Sequence, residues 1–173
     1  GVITVWSPQP KNGYYSYGDI AVEGIQMPKF SSKILRGAVS KPIDYELIYD
    51  NKTIDEPGKV SIWKPIPSDG YIAVGYKVRL DYNKPSVNDM ICVASEYLDI
   101  VNPGDLIWKT DDSEKFSNAS SSLSFWKVPS EKYFIATNSI FKPNEFDNPG
   151  FTINLEEKIY DDRLYLQPID SDP

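Results

Sequence analysis

No histidine occurs anywhere in the 173 residues. Its absence removes the commonest general base, the Ser-His-Asp and Cys-His arrangements, and the usual transition-metal ligand. Cysteine is almost missing as well: Cys92 stands alone, so no internal disulfide framework is possible. It lies in the apolar run Met90-Ile91-Cys92-Val93-Ala94, which reads as a buried strand with a structural thiol and fits a reducing compartment. No apolar run approaches the roughly 18 to 20 residues of a membrane-spanning helix, and the N-terminus lacks a signal-peptide pattern. The abrupt start at Gly1 suggests a module taken from a longer protein. No Gly-rich loop is present to cradle a phosphate, and a net charge of -7 repels phosphate backbones, so no nucleic-acid partner is expected.

Aromatic residues, by contrast, are plentiful: twelve Tyr, seven Phe and four Trp, with Pro (14) outnumbering Gly (10). Such a composition favours short strands and stiff turns over long helices. One phrase recurs. Trp6-Ser7-Pro8-Gln9-Pro10-Lys11-Asn12-Gly13-Tyr14 returns as Trp63-Lys64-Pro65-Ile66-Pro67-Ser68-Asp69-Gly70-Tyr71. Gly18 is answered by Gly75 and Pro28 by Pro85 at the same offset, and a looser third copy runs from Trp126-Lys127-Val128-Pro129 to Tyr133. Repeats are therefore expected at about 1–58, 59–117 and 118–173, within one domain.

Each repeat holds four strand-like runs separated by turn residues. They fall at roughly 2–7, 14–23, 32–39 and 44–50, then 59–64, 71–80, 90–98 and 105–110, then 122–127, 133–141, 151–159 and 163–168, with prolines between the runs. The polar stretch from Thr110 to Ser122 reads as a mobile loop. Three matching sets predict an all-β protein, a β-prism of three four-stranded antiparallel sheets about a pseudo-threefold axis, with a β-sandwich or β-trefoil as alternatives.

Period-2 alternation assigns faces. Ile3 and Val5, Val60 and Ile62, and Leu123 and Phe125 point to the axis, while Trp6, Trp63 and Trp126 occupy the opposite face with the prolines that follow them. In the second strand Tyr15, Tyr17 and Ala21 align with Ile72, Val74 and Val78 and with Phe134, Ala136 and Ile140 as an inward row. Asp19, Tyr76 and Asn138 then share one inward position, where a carboxylate requires hydrogen-bond partners such as backbone amides of a neighbouring repeat.

Paired carboxylates from Asp44, Glu46, Glu156, Glu157, Asp161 and Asp162 offer the one remaining catalytic chemistry, without a spacing that sets them opposite each other. No enzyme and no cofactor are expected. The acidic turns Asp111-Asp112 and Asp161-Asp162 lack the spaced pattern of a calcium loop and read as solvated charge. Asn51-Lys52-Thr53 and Asn118-Ala119-Ser120 match the glycosylation pattern.

The joint spacing of Trp6, Pro8, Pro10, Gly13, Tyr14, Gly18 and Asp19, and of Ile62, Trp63, Pro65, Pro67, Gly70, Tyr71 and Gly75, resembles the Vps62 family, also met as a segment of VPS13-type lipid-transfer proteins. The resemblance implies a role in vacuolar protein sorting and membrane traffic and brings no catalytic residues. Tyr76 and Thr137-Asn138 depart from the Gly-Asp step of the first copy. A threefold prism is also similar in plan to the MVB12-associated β-prism, which implies lipid binding, and to jacalin-type lectins, which implies sugar binding.

The expectation is a non-catalytic adaptor, cytoplasmic and peripheral at membranes, that binds lipid headgroups or a protein partner through repeat loops. Its candidate binding residues are Lys11, Tyr14, Asp19, Tyr71, Lys132 and Tyr133. A carbohydrate-binding lectin-like prism and a protein-interaction scaffold are the alternatives.

Overall fold

A computed structural model describes residues 2–9, 15–25, 32–54, 57–110, 122–154 and 164–169. Pro10, Lys11, Gly13, Tyr14, Asn118 and the paired acids at 111–112, 156–157 and 161–162 lie outside the described residues, as does most of the polar stretch expected to be mobile.

The protein is all-β, built of several small antiparallel sheets. In chain order the strands are β1 (Ile3–Trp6), β2 (Ile20–Glu23), β3 (Ser32–Gly37), β4 (Val39–Ser40), β5 (Asp44–Asp50), β6 (Ser61–Ile66), β7 (Tyr71–Ile72) and β8 (Lys77–Arg79). They continue as β9 (Cys92–Ala94), β10 (Leu98–Val101), β11 (Leu106–Lys109), β12 (Ser124–Lys127), β13 (Phe134–Thr137), β14 (Gly150–Ile153) and β15 (Leu164–Ile169). A single turn of 3-10 helix, Ser95–Tyr97, joins β9 to β10.

Two kinds of pairing recur. In the first, the opening strand of a repeat is flanked by its own second strand and by the last strand of the repeat before it: β6 lies between β5 and β8, and β12 between β11 and β13. β1 pairs with β2 in the same register sense. In the second, the third strands link the repeats to one another: β4 pairs with β9, β10 with β14, and β15 with β3. These three pairings, each in a sheet of its own, run from each repeat to the next and from the last back to the first.

The sheets are smaller than the four strands expected of them; among the described residues none exceeds three. Three sequence assignments change. The run 163–168, expected as the fourth strand of the third repeat's own sheet, instead pairs as β15 with β3 of the first repeat. The run 71–80 is broken into β7 and β8, and the strand expected over 14–23 is regular only from Ile20.

The repeated glycines explain that break. A Cβ on Gly75 would sit 2.4 Å from the Tyr17 carbonyl oxygen and 2.6 Å from Gly18 Cα, and one on Gly18 would sit 2.9 Å from Gly75 Cα. The first two repeats therefore touch backbone to backbone, and the Asp19 N–H donates to the Tyr76 carbonyl at 3.0 Å across the contact. Gly18 and Gly75 are needed because no side chain fits there.

Prolines are not confined to turns: Pro65 lies inside β6 and Pro168 inside β15. β8 flanks β6 only as far as Trp63, so a residue without an N–H at position 65 costs no ladder bond on that side.

The inward rows are filled largely as alternation requires, except that Tyr15, expected in the inward row of the second strand, is exposed. One apolar cluster joins Tyr17, Tyr49, Ile62, Tyr97, Phe125 and Phe134, drawn from all three repeats, with Ile3, Val5 and Val60 packed against it. Phe125 and Phe134 meet edge to face at 4.6 Å. Of the three repeat tryptophans, Trp63 and Trp126 are buried and Trp6 is half-buried. Trp63 joins Tyr45 and Met90 in a separate cluster, and Trp126 is equally enclosed. The sequence signal for this is the hydroxyl two residues earlier. The Trp63 indole N–H donates to Ser61 Oγ at 2.9 Å and the Trp126 indole N–H to Ser124 Oγ at 2.7 Å. Those hydroxyls donate to the carbonyls of Asp81 and Ser139, as Thr4 does to Gly24.

Candidate functional site

The turns that follow β1, β6 and β12 hold the residues the repeat drew attention to, and two of those residues prove buried. Asp19 is 1% exposed. Its Oδ2 accepts from the Val78 amide at 2.9 Å, and its Oδ1 accepts from Ser7 Oγ at 2.8 Å and from Lys77 Nζ at 3.4 Å. Burial pushes the Asp19 carboxyl above the usual range, while Lys77, the Val78 amide and Ser7 pull it back. A carboxylate so enclosed joins the first repeat to the second and leaves no surface for a ligand, which corrects its assignment as a binding group. Asn138, expected to point inward at the equivalent position of the third repeat, is exposed.

Tyr133 is likewise corrected as a protruding aromatic. It is 3% exposed, its hydroxyl donates to the Phe151 carbonyl, and its ring meets Tyr17 edge-on at 5.4 Å. The Tyr17 hydroxyl donates to Glu131 Oε2 at 3.1 Å, and Glu131 Oε1 accepts from the Ile153 amide at 3.1 Å. Burial, then the Glu131 charge, holds both phenols well above their ordinary range, so neither ionises near neutral pH. Tyr71 is half-buried in β7, opposite Ala94, and Lys132 is exposed. Gly70, at φ 84°, shapes the Ser68–Tyr71 turn, and Ser130, at φ 67°, takes the matching place in the third copy. Of the described members of the set, Lys132 and Tyr133 line one cavity of about 360 Å³ with Glu131 and Lys127, whereas Asp19 is interior and Tyr71 stands apart from that cavity.

Asn51 is no glycosylation acceptor in the folded chain. It is buried, its amide donates to the Gly58 carbonyl at 3.1 Å, and its Oδ1 accepts from the Val60 amide and the Tyr82 hydroxyl. Cys92 is fully enclosed, and burial pushes its thiol up to about 12, an inert group.

The opposite end of the molecule is open, and alternation along β1, β6 and β12 leads there. Ile3, Val60 and Leu123, at the starts of these strands, line one apolar cavity of about 370 Å³ with Tyr49 and Trp108. Around its mouth run the loops that leave the second strands. Within two residues of the carbonyls that receive the Thr4, Ser61 and Ser124 hydroxyls stand Ile25, Leu80 and Phe141, at 88%, 83% and 76% exposure. Phe146, farther along the third of these loops, is equally bare. Exposed Lys52, Lys59 and Lys142 accompany them, the first two over the Tyr82 ring at 5.0 and 5.6 Å. Sequence reasoning missed this end because it weighed repeated turns for Tyr and Lys; the available signal was a large apolar residue placed just past each second strand.

A polar cavity of about 420 Å³ lies elsewhere, with Tyr15, Arg79, Asn88 and Asp89 on its wall. No helix among the described residues is long and apolar enough to cross a membrane.

The profile of the family Vacuolar protein sorting-associated protein 62, Vps62, matches residues 25–141. The chain belongs to the Vps62 family. The Vps62 match takes in the whole second copy of the repeat and the opening of the third, and it begins after the Trp6 to Asp19 copy. No curated protein is similar enough to count as a match. Among solved structures, this Vps62 chain is similar to GNIP1Aa from Chromobacterium piscinae, with a TM-score of 0.69 over 84% of the chain at 19% identity. The match spans 30% of that protein, and at this identity it is a likeness of fold alone.

Proposed function

We propose that the chain is a non-catalytic module that attaches to a membrane surface through the loops following the second strand of each repeat, in keeping with a family associated with vacuolar protein sorting. One observation carries the reading: Ile25, Leu80 and Phe141, in the loops that follow β2, β8 and β13, stand almost wholly in solvent. Three large apolar side chains so placed gain nothing for the fold. Each contributes up to about 1.5–3 kcal/mol when it enters an apolar phase. Lys52, Lys59 and Lys142 add roughly 1 kcal/mol apiece near anionic headgroups, while the net charge of -7 opposes adhesion by any other face.

The architecture that goes with this function is a β-prism with pseudo-threefold repeats, in which three equivalent loops act together. It is supported by the third-strand pairings that run from each repeat to the next and by the repeated flanking of β6 and β12. The protein would act at the cytoplasmic face of a membrane, as a peripheral component.

Vesicle flotation tests the proposal. The protein floats with anionic vesicles, and the Leu80→Asp, Phe141→Asp double variant loses at least about tenfold in partition with its thermal unfolding unchanged. Absence of flotation by the parent protein, or equal flotation by the variant, removes the proposal.

A second reading rests on the polar cavity beside Tyr15, where an aromatic ring and the Asn88 and Asp89 side chains suit a sugar. Retention on a glycan array without vesicle binding would favour it.

A further inference from the structure

Two of the three sheets built on an opening strand take their outer strand from the preceding repeat: β5 for β6 and β11 for β12. β1 has β2 on one side and no described strand on the other. The junctions between these sheets obey the same rule, since β11 packs against β2 and β13 against β5. The third junction would set β8 against a strand lying beside β1. The apolar cavity opens at that place, with Ile3 and Val5 of β1 on one wall and Val78 and Leu80 on the other.

We infer that this slot is a β-strand-addition site that takes one extended peptide segment, antiparallel to β1. The inference rests on the threefold reading of the fold and not on membrane attachment.

β5 and β11 show what the occupant must carry. The Asn51 N–H donates to the Val60 carbonyl at 3.2 Å and the Thr110 N–H to the Leu123 carbonyl at 2.9 Å. In return the side-chain oxygens of Asn51 and Thr110 accept from the amides of Val60 and Leu123 at 3.0 and 3.2 Å. Ile3 is the counterpart of Val60 and Leu123. The Gly24 N–H donates to the Val2 carbonyl, and because ladder groups alternate, the N–H and C=O of Ile3 and Val5 face the slot. Two residues before Asn51 and Thr110, the rings of Tyr49 and Trp108 line the cavity. The occupant therefore has an aromatic residue, one intervening residue, then Asn or Thr. The aromatic ring fills the apolar space, and the Asn or Thr oxygen takes the Ile3 amide. A lipid chain or a sugar matches the apolar walls or the polar edge but not both.

The probe is a synthetic peptide copied from residues 44–51, Asp-Tyr-Glu-Leu-Ile-Tyr-Asp-Asn, titrated into isotope-labelled protein and followed by amide shifts and hydrogen exchange. Saturable one-to-one binding is expected, with the Ile3 and Val5 amides newly protected and with the peptide whose second Tyr is replaced by Ser at least about tenfold weaker. No saturation up to about 1 mM overturns the inference, as do shifts confined to another face or equal binding by the Ser peptide. A free protein that is already dimeric with the Ile3 and Val5 amides protected overturns it too, because a second copy then holds the edge. Vesicle flotation is read in a separate assay, so failure of membrane attachment leaves peptide binding to be judged on its own.

Discussion

Gly75 and Asp19 bear the contact between the first two repeats, one by lacking a side chain and the other by burying a charge. Gly75→Ala forces a methyl group to within 2.4 Å of the Tyr17 carbonyl oxygen, where only backbone can yield. A loss of about 3 kcal/mol or more is expected in denaturant unfolding. Asp19→Ala strands the Val78 amide and the Lys77 charge, and a loss of about 3 kcal/mol follows. The repeat in the sequence marked both positions, and the requirement that Asp19 find a backbone amide of another repeat is met by Val78. What the sequence did not reveal is that satisfying the carboxylate closes the site: enclosure depends on Ser7 and Lys77 arriving from different strands. Asp81 behaves differently. Its bidentate contact with Arg79 holds the carboxyl down to about 2, below its unfolded value of about 3.9. Such a group supports the fold above about pH 4 and ceases to do so as pH falls toward 2. Asp81→Asn should therefore lower the melting temperature at pH 7 and converge with the parent near pH 2, as measured by thermal unfolding across that range.

At the level of the strand, the unit of construction is a hydroxyl and an indole two residues apart. Ser61→Ala removes the acceptor of the buried Trp63 N–H, and Ser124→Ala does the same to Trp126. Each substitution is expected to cost about 1–3 kcal/mol in urea unfolding. The two sit in different sheets, so their effects should add within about 0.5 kcal/mol. Alternation made the axial rows of β1, β6 and β12 readable, because Ile3, Val60 and Leu123 repeat with period 2 and have one apolar side to bury. It did not reveal that Trp63 and Trp126 on the other face are buried as well, although Ser61 and Ser124 stood on that face as the signal. Strand 71–80 was read too long because residues that alternate perfectly can still be diverted when Gly75 meets Gly18. The pairing of β3, β4, β9, β10, β14 and β15 was illegible for another reason: each ladder joins distant repeats, and nothing local in Val39-Ser40 names Val93 and Cys92 as its partners.

Across the whole molecule, one end holds the buried Asp19, Tyr17 and Tyr133 beside polar cavities, and the other presents bare apolar loops around an apolar cavity. That asymmetry moves the expected binding surface from the Tyr-bearing turns to Ile25, Leu80 and Phe141. It also permits a direct measurement, because Cys92 is buried and its thiol is held up at about 12, leaving a newly introduced surface cysteine as the reactive one. Single variants Leu80→Cys, Phe141→Cys and, in the exposed turn at the opposite end, Asp69→Cys would each carry an environment-sensitive fluorophore. On adding anionic vesicles, labels at 80 and 141 should shift to the blue and be quenched by lipids brominated in the acyl chain, while the label at 69 stays in water. A shift at 69 with none at 80 or 141 would contradict attachment through the open end.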